Sequence, residues 1–378
     1  MKNQKICIVG DGLAGLTTAL TLKELNIDID LFYKKKNKNL KNDKRTTAVS
    51  LSNYQFLRKL IKKNNLNYFW PCKNVSLFYE TKNQYINFLN YKEEEKNLMY
   101  IFENKKFANN LVNELKASKN INFINGTIDK IDSINSYLKY KNKKKFYDLI
   151  ILCAGGKNIF YKQINRDRSI KKDYKEFAIT CSVQHKLKLK GASQYFLSEG
   201  PLAILPIKKN MFSLVWSLSN DYKNNDKKAL IQDKLRYIFG KQIKIKVSKI
   251  QMFPLHLDLK TRYFKKNILV LGQGIHSIHP IAGQGFNLII RDIKKLSFII
   301  KKNLELGLGI KNSNILGEFY KTRNPENTLI GIGNDLIRSF FKPNKFVDPI
   351  KISLLKNFSN NKNLKKMSQI VSDKGLFF

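Results

Sequence analysis

The sequence predicts an α/β fold: a GxGxxG Rossmann-like domain interleaved with a mixed β-sheet domain and closed by a C-terminal helical segment. Three observations predict it. An apolar run, Lys5 to Val9, enters Gly10-Asp11-Gly12-Leu13-Ala14-Gly15, then a helically spaced stretch, then a second apolar run from Ile27 to Tyr33; this is a βαβ unit with GxGxxG in its turn. Residues 75–91 and 174–219 alternate apolar and polar side chains, as strands with one buried face do. Residues 267–295 then repeat the order of strand, glycine loop and helix.

Within the first unit, Gly10 suits the tight turn, Gly12 lets a diphosphate approach bare backbone, and Gly15 lets helix and strand pack closely. An acid normally ends the second strand and holds ribose hydroxyls. Here Tyr33 stands in that place, followed by Lys34, Lys35 and Lys36. Helical spacing is predicted over 54–62, 103–116 and 226–239. Residues 121–132 with 137–140 read as a hairpin or meander, and 243–253 as a strand. The run Tyr147 to Ala154 is a buried strand ending at Gly155. Helical spacing resumes near Glu318, breaks at Pro325 and continues through Leu329 and Ile337. The tail is expected to pack as one last helix through Ile352, Leu354, Leu355 and Phe358.

The stretch 267–295 carries the densest chemistry. An apolar strand, Ile268 to Leu271, opens into a loop from Gly272 to Gly285 that holds His276 and His279; a helix follows with Phe286, Leu288, Ile289 and Ile293. Gly283 and Gly285 leave bare amides at the helix start, where unpaired N–H groups and the positive dipole end attract anionic or electron-rich ligands.

Composition narrows the class. Lys and Arg number 70 against 29 Asp and Glu, a formal charge of +41, which would suit nucleic acid or an anionic membrane surface. The cations are spread along the chain with no RNA-binding signature or zinc spacing, so no nucleic-acid partner and no metal is expected. Cys7, Cys72, Cys153 and Cys181 show no paired spacing and read as buried thiols. The amino terminus runs directly into the glycine turn rather than reading as a signal peptide. No apolar run reaches the ~18–20 residues that span a bilayer. The expectation is a cytoplasmic protein, at most peripheral on the inner face of a membrane.

The run HSIHPIAGQGFNLIIRD, residues 276–292, resembles the second flavin motif of the ubiquinone-biosynthesis hydroxylases, a branch of the para-hydroxybenzoate-hydroxylase-like flavin monooxygenases. Phe196 to Pro206 and Val215-Trp216 resemble the roof sheet of that family, Arg45-Thr46-Thr47-Ala48-Val49-Ser50 its Arg-x-x-Ala-x-Ser segment, and Ile337 to Phe341 its closing helix. Taken singly, Phe196 and Trp216 are core aromatics. The resemblance spans nearly the whole chain. It implies an FAD-binding domain made of 1–72, 99–172 and 259–310, a substrate domain of 73–98 and 173–258, and C-terminal helices from 311 to 378.

Three departures stand out. The ribose acid is Tyr33, the Ala-Asp-Gly acid is Gly155, and the ribityl acid after Gly272 is Gln273.

What the resemblance implies is an NADPH- or NADH-reduced FAD that reacts with O2 to give a C4a-hydroperoxide, whose distal oxygen is attacked by a polyprenylated phenol. The cofactor would lie against Gly10, Gly12, Leu13, Ala14, Gly15, Tyr33, Arg45, Gly155, Gly272, Gln273, Gly283, Gln284, Gly285, Phe286 and Asn287. Pro280, Ile281 and Gly283 would border its reactive edge. His276 and His279 could handle protons, though satisfied structural histidines are the commoner case, and Asp292 is expected to pair with Arg291 or a loop. The partners implied are the hydrophobic phenol, O2, other ubiquinone-pathway enzymes and an anionic membrane surface, with a homo-oligomer left open. The three lost acids support an alternative, an impaired homologue that binds or scaffolds a quinone intermediate. A hydroxylase for a small soluble aromatic would need polar or Arg anchors in 196–215, and few are present.

Overall fold

A computed structural model describes residues 4–34, 43–62, 66–81, 84–135, 137–155, 160–161, 164, 168–311, 314–342 and 347–376. Lys35 and Lys36 lie outside the described residues. In chain order the first elements are β1 (Gln4–Val9), α1 (Leu13–Leu22), β2 (Ile27–Tyr33), β3 (Thr46–Ser50), α2 (Leu51–Leu60), β4 (Trp70–Cys72), β5 (Asn74–Glu80), β6 (Tyr85–Lys92) and β7 (Met99–Glu103). There follow α3 (Asn104–Lys116), β8 (Ile121–Asn125), β9 (Lys130–Asp132), β10 (Tyr137–Tyr140), β11 (Lys143–Phe146) and β12 (Leu149–Leu152). The middle of the chain gives β13 (Ser169–His185), β14 (Ala192–Leu197), β15 (Gly200–Lys208), β16 (Met211–Ser219), α4 (Lys227–Phe239), β17 (Ile245–Val247) and β18 (Gln251–Lys260). The remainder is β19 (Phe264–Lys265), β20 (Ile268–Val270), β21 (His276–Ser277), α5 (Gln284–Glu305), α6 (Ile315–Phe340), α7 (Asp348–Asn360) and α8 (Lys362–Lys374).

Two large sheets organise these elements. The first has the order β19-β20-β12-β1-β2-β8, with every pairing parallel except β19 with β20. Its central strands carry Ile6, Cys7, Ile8, Ile150 and Ile151 fully buried between flanking elements, the continuous apolar pattern of a strand covered on both faces. The second sheet runs β21-β18-β13-β16-β15-β14-β5-β6, with β17 on β13. Its alternation has a clear physical outcome. Phe177, Ile179, Cys181, Leu202, Ile204, Phe212, Leu214 and Trp216 pack on Ile231 and Leu235 of α4, and the intervening residues face the interior of the molecule.

Several expectations change in detail. Ile121 to Asn125 does not join a hairpin; it is the parallel edge strand on β2, while β9, β10 and β11 form the meander. Pro325 does not break its helix: α6 runs unbroken from Ile315 to Phe340. Buried polar contacts on both sides of the proline hold the turn that its missing N–H weakens, among them Arg323 Nε donating to Asp292 at 2.7 Å and Asn327 Nδ2 to the same oxygen at 3.0 Å. The tail is two helices rather than one, separated at Asn361 in extended conformation. Trp216 lies in the α4-side core, its Nε1 donating to the Gly200 carbonyl at 3.1 Å.

Candidate cofactor and substrate cavity

A cavity of about 1680 Å³ lies between the inner face of the second sheet, the β1–α1 turn, the start of α5 and the C-terminal helices. Typical ligand pockets enclose roughly 300–1000 Å³, so there is room for more than one small molecule. Gly12, Leu13 and Ala14 line one end, and Pro280, Ile281, Gly283, Gln284, Gly285, Phe286 and Asn287 line the same space. The two glycine turns are neighbours: a Cβ on Gly272 would come 2.9 Å from the Ala14 Cβ. Arg45, Gly155 and Gln273 also line it. Gly10, Gly15 and Gly272 are not among the described lining residues; a Cβ on any of them would come within 3 Å of another protein atom. Tyr33 is not among the described lining residues; its ring meets Phe123 edge-on at 6.1 Å.

The opposite wall is a set of rows across the sheet. Thr180, Val215, Ala203, Gln194, Leu77 and Leu89 are consecutive cross-strand neighbours on β13, β16, β15, β14, β5 and β6, and all face the cavity. Phe196, expected as a core aromatic, also lines it and stacks on Phe341 with ring centroids 3.5 Å apart. The wall is largely apolar, with one orphan: the Thr180 hydroxyl is buried without a hydrogen-bond partner.

Both helix starts present bare backbone. Neither α1 nor α5 has a side-chain N-cap or an acid in its first turn, so the first N–H groups of each are left for a ligand. A Cβ on Gly12, Gly155 or Gly285 would meet no protein atom within 4 Å. Their bareness therefore keeps open a space that protein packing does not claim. That fits an anionic diphosphate against α1 and a flat ring against α5.

Arg45 is tied to Asp43, with Nε and Nη2 donating to the two carboxylate oxygens at 2.9 and 2.8 Å; this hydrogen bond keeps the guanidinium pKa above its ordinary value. Asp43 is buried and lines the cavity. Its place in the sequence, an Asp after a Lys-rich run, carries no pattern that marks it.

Asn287, expected to lie against the cofactor, has its side chain committed to the protein instead. Its Oδ1 accepts from Ser50 N at 3.0 Å and Asn53 Nδ2 at 2.9 Å, and its Nδ2 donates to Ala48 O and Gly283 O. The side chain is fully used in tying the β3–α2 turn to α5.

His279, read from sequence as a proton handler or a satisfied structural histidine, is placed in the second role. It is buried outside the described cavity lining, with Nε2 3.2 Å from Glu176 and Nδ1 accepting from Ile281 N at 3.4 Å. Arg338 completes the group through Glu176 and lies over the Tyr174 ring at 4.1 Å. Burial raises the Glu176 carboxyl, but hydrogen bonds from His279 and Arg338 outweigh it and bring it to about 2. Burial lowers His279, so the ring is neutral and orients the Pro280–Ile281 turn.

His276 does line the cavity, and its Nε2 lies 2.7 Å from Asp292. Asp292 pairs with His276, Arg323 and Asn327 rather than with Arg291. Burial disfavours its charge, yet the Arg323 guanidinium and His276 hold its pKa below the ordinary value. Among the described residues no cluster of His, Cys, Asp and Glu could hold a metal.

Residues 147–306 match the family described as FAD binding domain. Beyond that segment, the chain is similar to ubiquinone-biosynthesis hydroxylases. It is 26% identical over 296 residues to the mitochondrial ubiquinone biosynthesis monooxygenase COQ6 of Dictyostelium discoideum, covering 64% of this chain and 60% of that one. It is 33% identical over 175 residues to the ubiquinone hydroxylase UbiL of Rhodospirillum rubrum, covering 44% and 41%. The chain thus spans less than two thirds of the length of these relatives. Among solved structures, p-nitrophenol 4-monooxygenase PnpA of Pseudomonas putida superposes with a TM-score of 0.78 at 13% identity, covering 97% of both chains. Klebsiella pneumoniae HpxO, solved with FAD and uric acid, gives 0.74 at 13% identity, covering 98% of this chain and 97% of that one. At that identity the likeness is one of fold.

Proposed function

We propose that the protein is an FAD-dependent aromatic-ring hydroxylase acting on a polyprenylated phenol in ubiquinone biosynthesis, with NADPH or NADH as reductant and O2 as co-substrate. One observation carries the reading: the GxGxxG turn and the bare start of α5 open onto a single cavity whose opposite wall is an apolar sheet. When bound, FAD would supply the redox chemistry. Gly12, Leu13, Ala14 and Arg45 would hold its diphosphate. The amides of Gln284, Gly285 and Phe286 would stabilise negative charge on the ring. Gln273 would bond ribityl hydroxyls without the strength of a charged acceptor. Pro280 and Ile281, fixed by His279, would border the reacting ring, while Phe196, Leu77 and Phe341 exclude water from it.

An apolar tail suits this wall, which passes through Phe88, Leu89 and Leu355 toward exposed Leu354. Exposed Leu329, Leu336 and Ile350 in a chain of charge +41 support peripheral attachment to an anionic membrane surface. No helix among the described residues is long and apolar enough to cross a membrane.

The purified protein's visible spectrum tests the reading. Flavin bands, or their appearance on adding FAD, with NADPH bleaching accelerated by a prenylphenol, are expected. Colourless protein that FAD cannot reconstitute would favour a binder or scaffold of the same pathway. That second reading draws on Tyr33 packed against Phe123 and on the Asn287 side chain being already spent.

A further inference from the structure

Helix α8 covers the cavity differently from every other element around it. Lys366, Ser368, Gln369, Ile370, Ser372, Asp373 and Lys374 contribute to the lining, yet no residue of the helix is buried. Neighbouring α7 is anchored by Leu355 inside an apolar cluster with Phe88, Phe196 and Ile281. Between the two helices stands Asn361, extended at φ −87° and ψ 103°, a ready pivot.

The far end of α8 is held by polar contacts. The Asp373 carbonyl accepts from Ser50 Oγ at 2.9 Å, Ser52 Oγ at 2.6 Å and Arg291 Nη2 at 3.3 Å, and Arg291 also donates to Ser372 O at 2.9 Å. The Asp373 carboxylate accepts from Ser52 N at 2.8 Å. It thereby caps α2, whose own N-cap, Ser50, makes no side-chain capping bond to the helix. Midway, Tyr91 Oη meets Ser368 Oγ at 2.6 Å and Gln369 Nε2 donates to Glu93 at 3.0 Å. An element bound by hydrogen bonds rather than buried apolar area opens locally at small cost, because water replaces the bonds it breaks.

We infer that α8 is a hinged gate over the cavity, pivoting at Asn361 and latched at Asp373, and that the cavity's apolar ligand is admitted where it swings away. The inference rests on reading this cavity as the ligand site. The latch joins α8 to the β3–α2 turn, which Asn287 ties to the start of α5. Opening the gate therefore loosens the wall beside the proposed ring position, and filling the cavity favours closure.

The test uses the full chain with Asp373→Ala and, from the other side of the latch, Ser50→Ala/Ser52→Ala. Asp373→Ala loses the carboxylate cap on Ser52 N, and the serine pair loses the two hydroxyl bonds to the Asp373 carbonyl; either loss corresponds to about a fivefold to thirtyfold shift in the opening equilibrium. Hydrogen exchange of the α8 amides should quicken by that factor in both variants, with β13 amides unchanged. In stopped flow, 1-anilinonaphthalene-8-sulfonate should enter and leave the cavity faster by a similar factor, with little change in Kd. Unchanged α8 exchange in both variants, or a weaker Kd at an unchanged association rate, would overturn the gate. A protein that never binds FAD but shows both accelerations would end the hydroxylase reading and keep this one.

Discussion

Gly12 and Gly15 lie in one turn and are bare for opposite reasons, which substitution separates. A Cβ on Gly15 would fall 1.9 Å from the Gly10 carbonyl oxygen and 3.3 Å from the Cys153 Cβ. Accommodating it means prising α1 more than ~1 Å from its own turn, an overpacking cost of about 3 kcal/mol or more. Gly12 has φ −74° and ψ 175°, open to any residue, and a Cβ there touches nothing within 4 Å. Gly12→Ala should therefore leave the cofactor-free fold intact, or stabilise it by about 0.4–1 kcal/mol through the unfolded chain. The new methyl intrudes on the space over the α1 amides, however, and FAD should bind at least about tenfold more weakly, about 1.4 kcal/mol. Urea unfolding of the cofactor-free variants and FAD titration followed by fluorescence quenching give both numbers. Gly12→Ala binding FAD like the parent protein, or destabilising the fold as much as Gly15→Ala, would refute the reasoning.

Asp292→Ala removes the acceptor of three hydrogen bonds and leaves the buried Arg323 guanidinium with Glu326 as its remaining carboxylate partner; a loss of about 3 kcal/mol follows, near ~4 °C in Tm for a chain of 378 residues, read by thermal unfolding. Glu176, held at about 2 against an ordinary 4.5, contributes stability that is fully present above pH 4.5 and is lost as pH falls toward 2. Glu176→Gln should flatten that part of the stability–pH curve, a contribution of about 2 kcal/mol after allowing for solvent screening. Thr180→Val replaces a hydroxyl that has no partner and should raise the cofactor-free stability by about 1 kcal/mol in urea unfolding.

The backbone of the site was readable because glycine spacing and apolar runs are local signals. The βαβ turn and the loop at 272–285 needed no tertiary information, and both line one cavity. What escaped depends on partners far away in the chain. Asn287 reads as a free amide until Ser50 and Asn53 are brought to it from more than 230 positions away. Asp292 stands next to Arg291 in sequence, but consecutive helix residues do not face each other, and the side chain turns instead to residues on β21 and α6. Pro325 carries a strong local stop signal that a buried network overrides. Asp43 and the role of Asp373 had no signal at all, since an isolated acid near a run of lysines looks like ordinary surface.

The six-stranded sheet has a consequence for biosynthesis. Its central strand, β1, pairs on one side with β2 soon after it, but on the other with β12, and β12 in turn needs β20. Lys5 N reaches Asp148 across 143 positions. A nascent chain emerging from the ribosome thus carries a half-covered apolar strand until some 270 residues exist, and loop closure over such spans is slow. Chains interrupted before β20 expose that edge to one another. Productive yield of the protein depends on how quickly β20 arrives to cover β12, and a chaperone that shields β12 until then would raise that yield without touching the stability of the finished molecule.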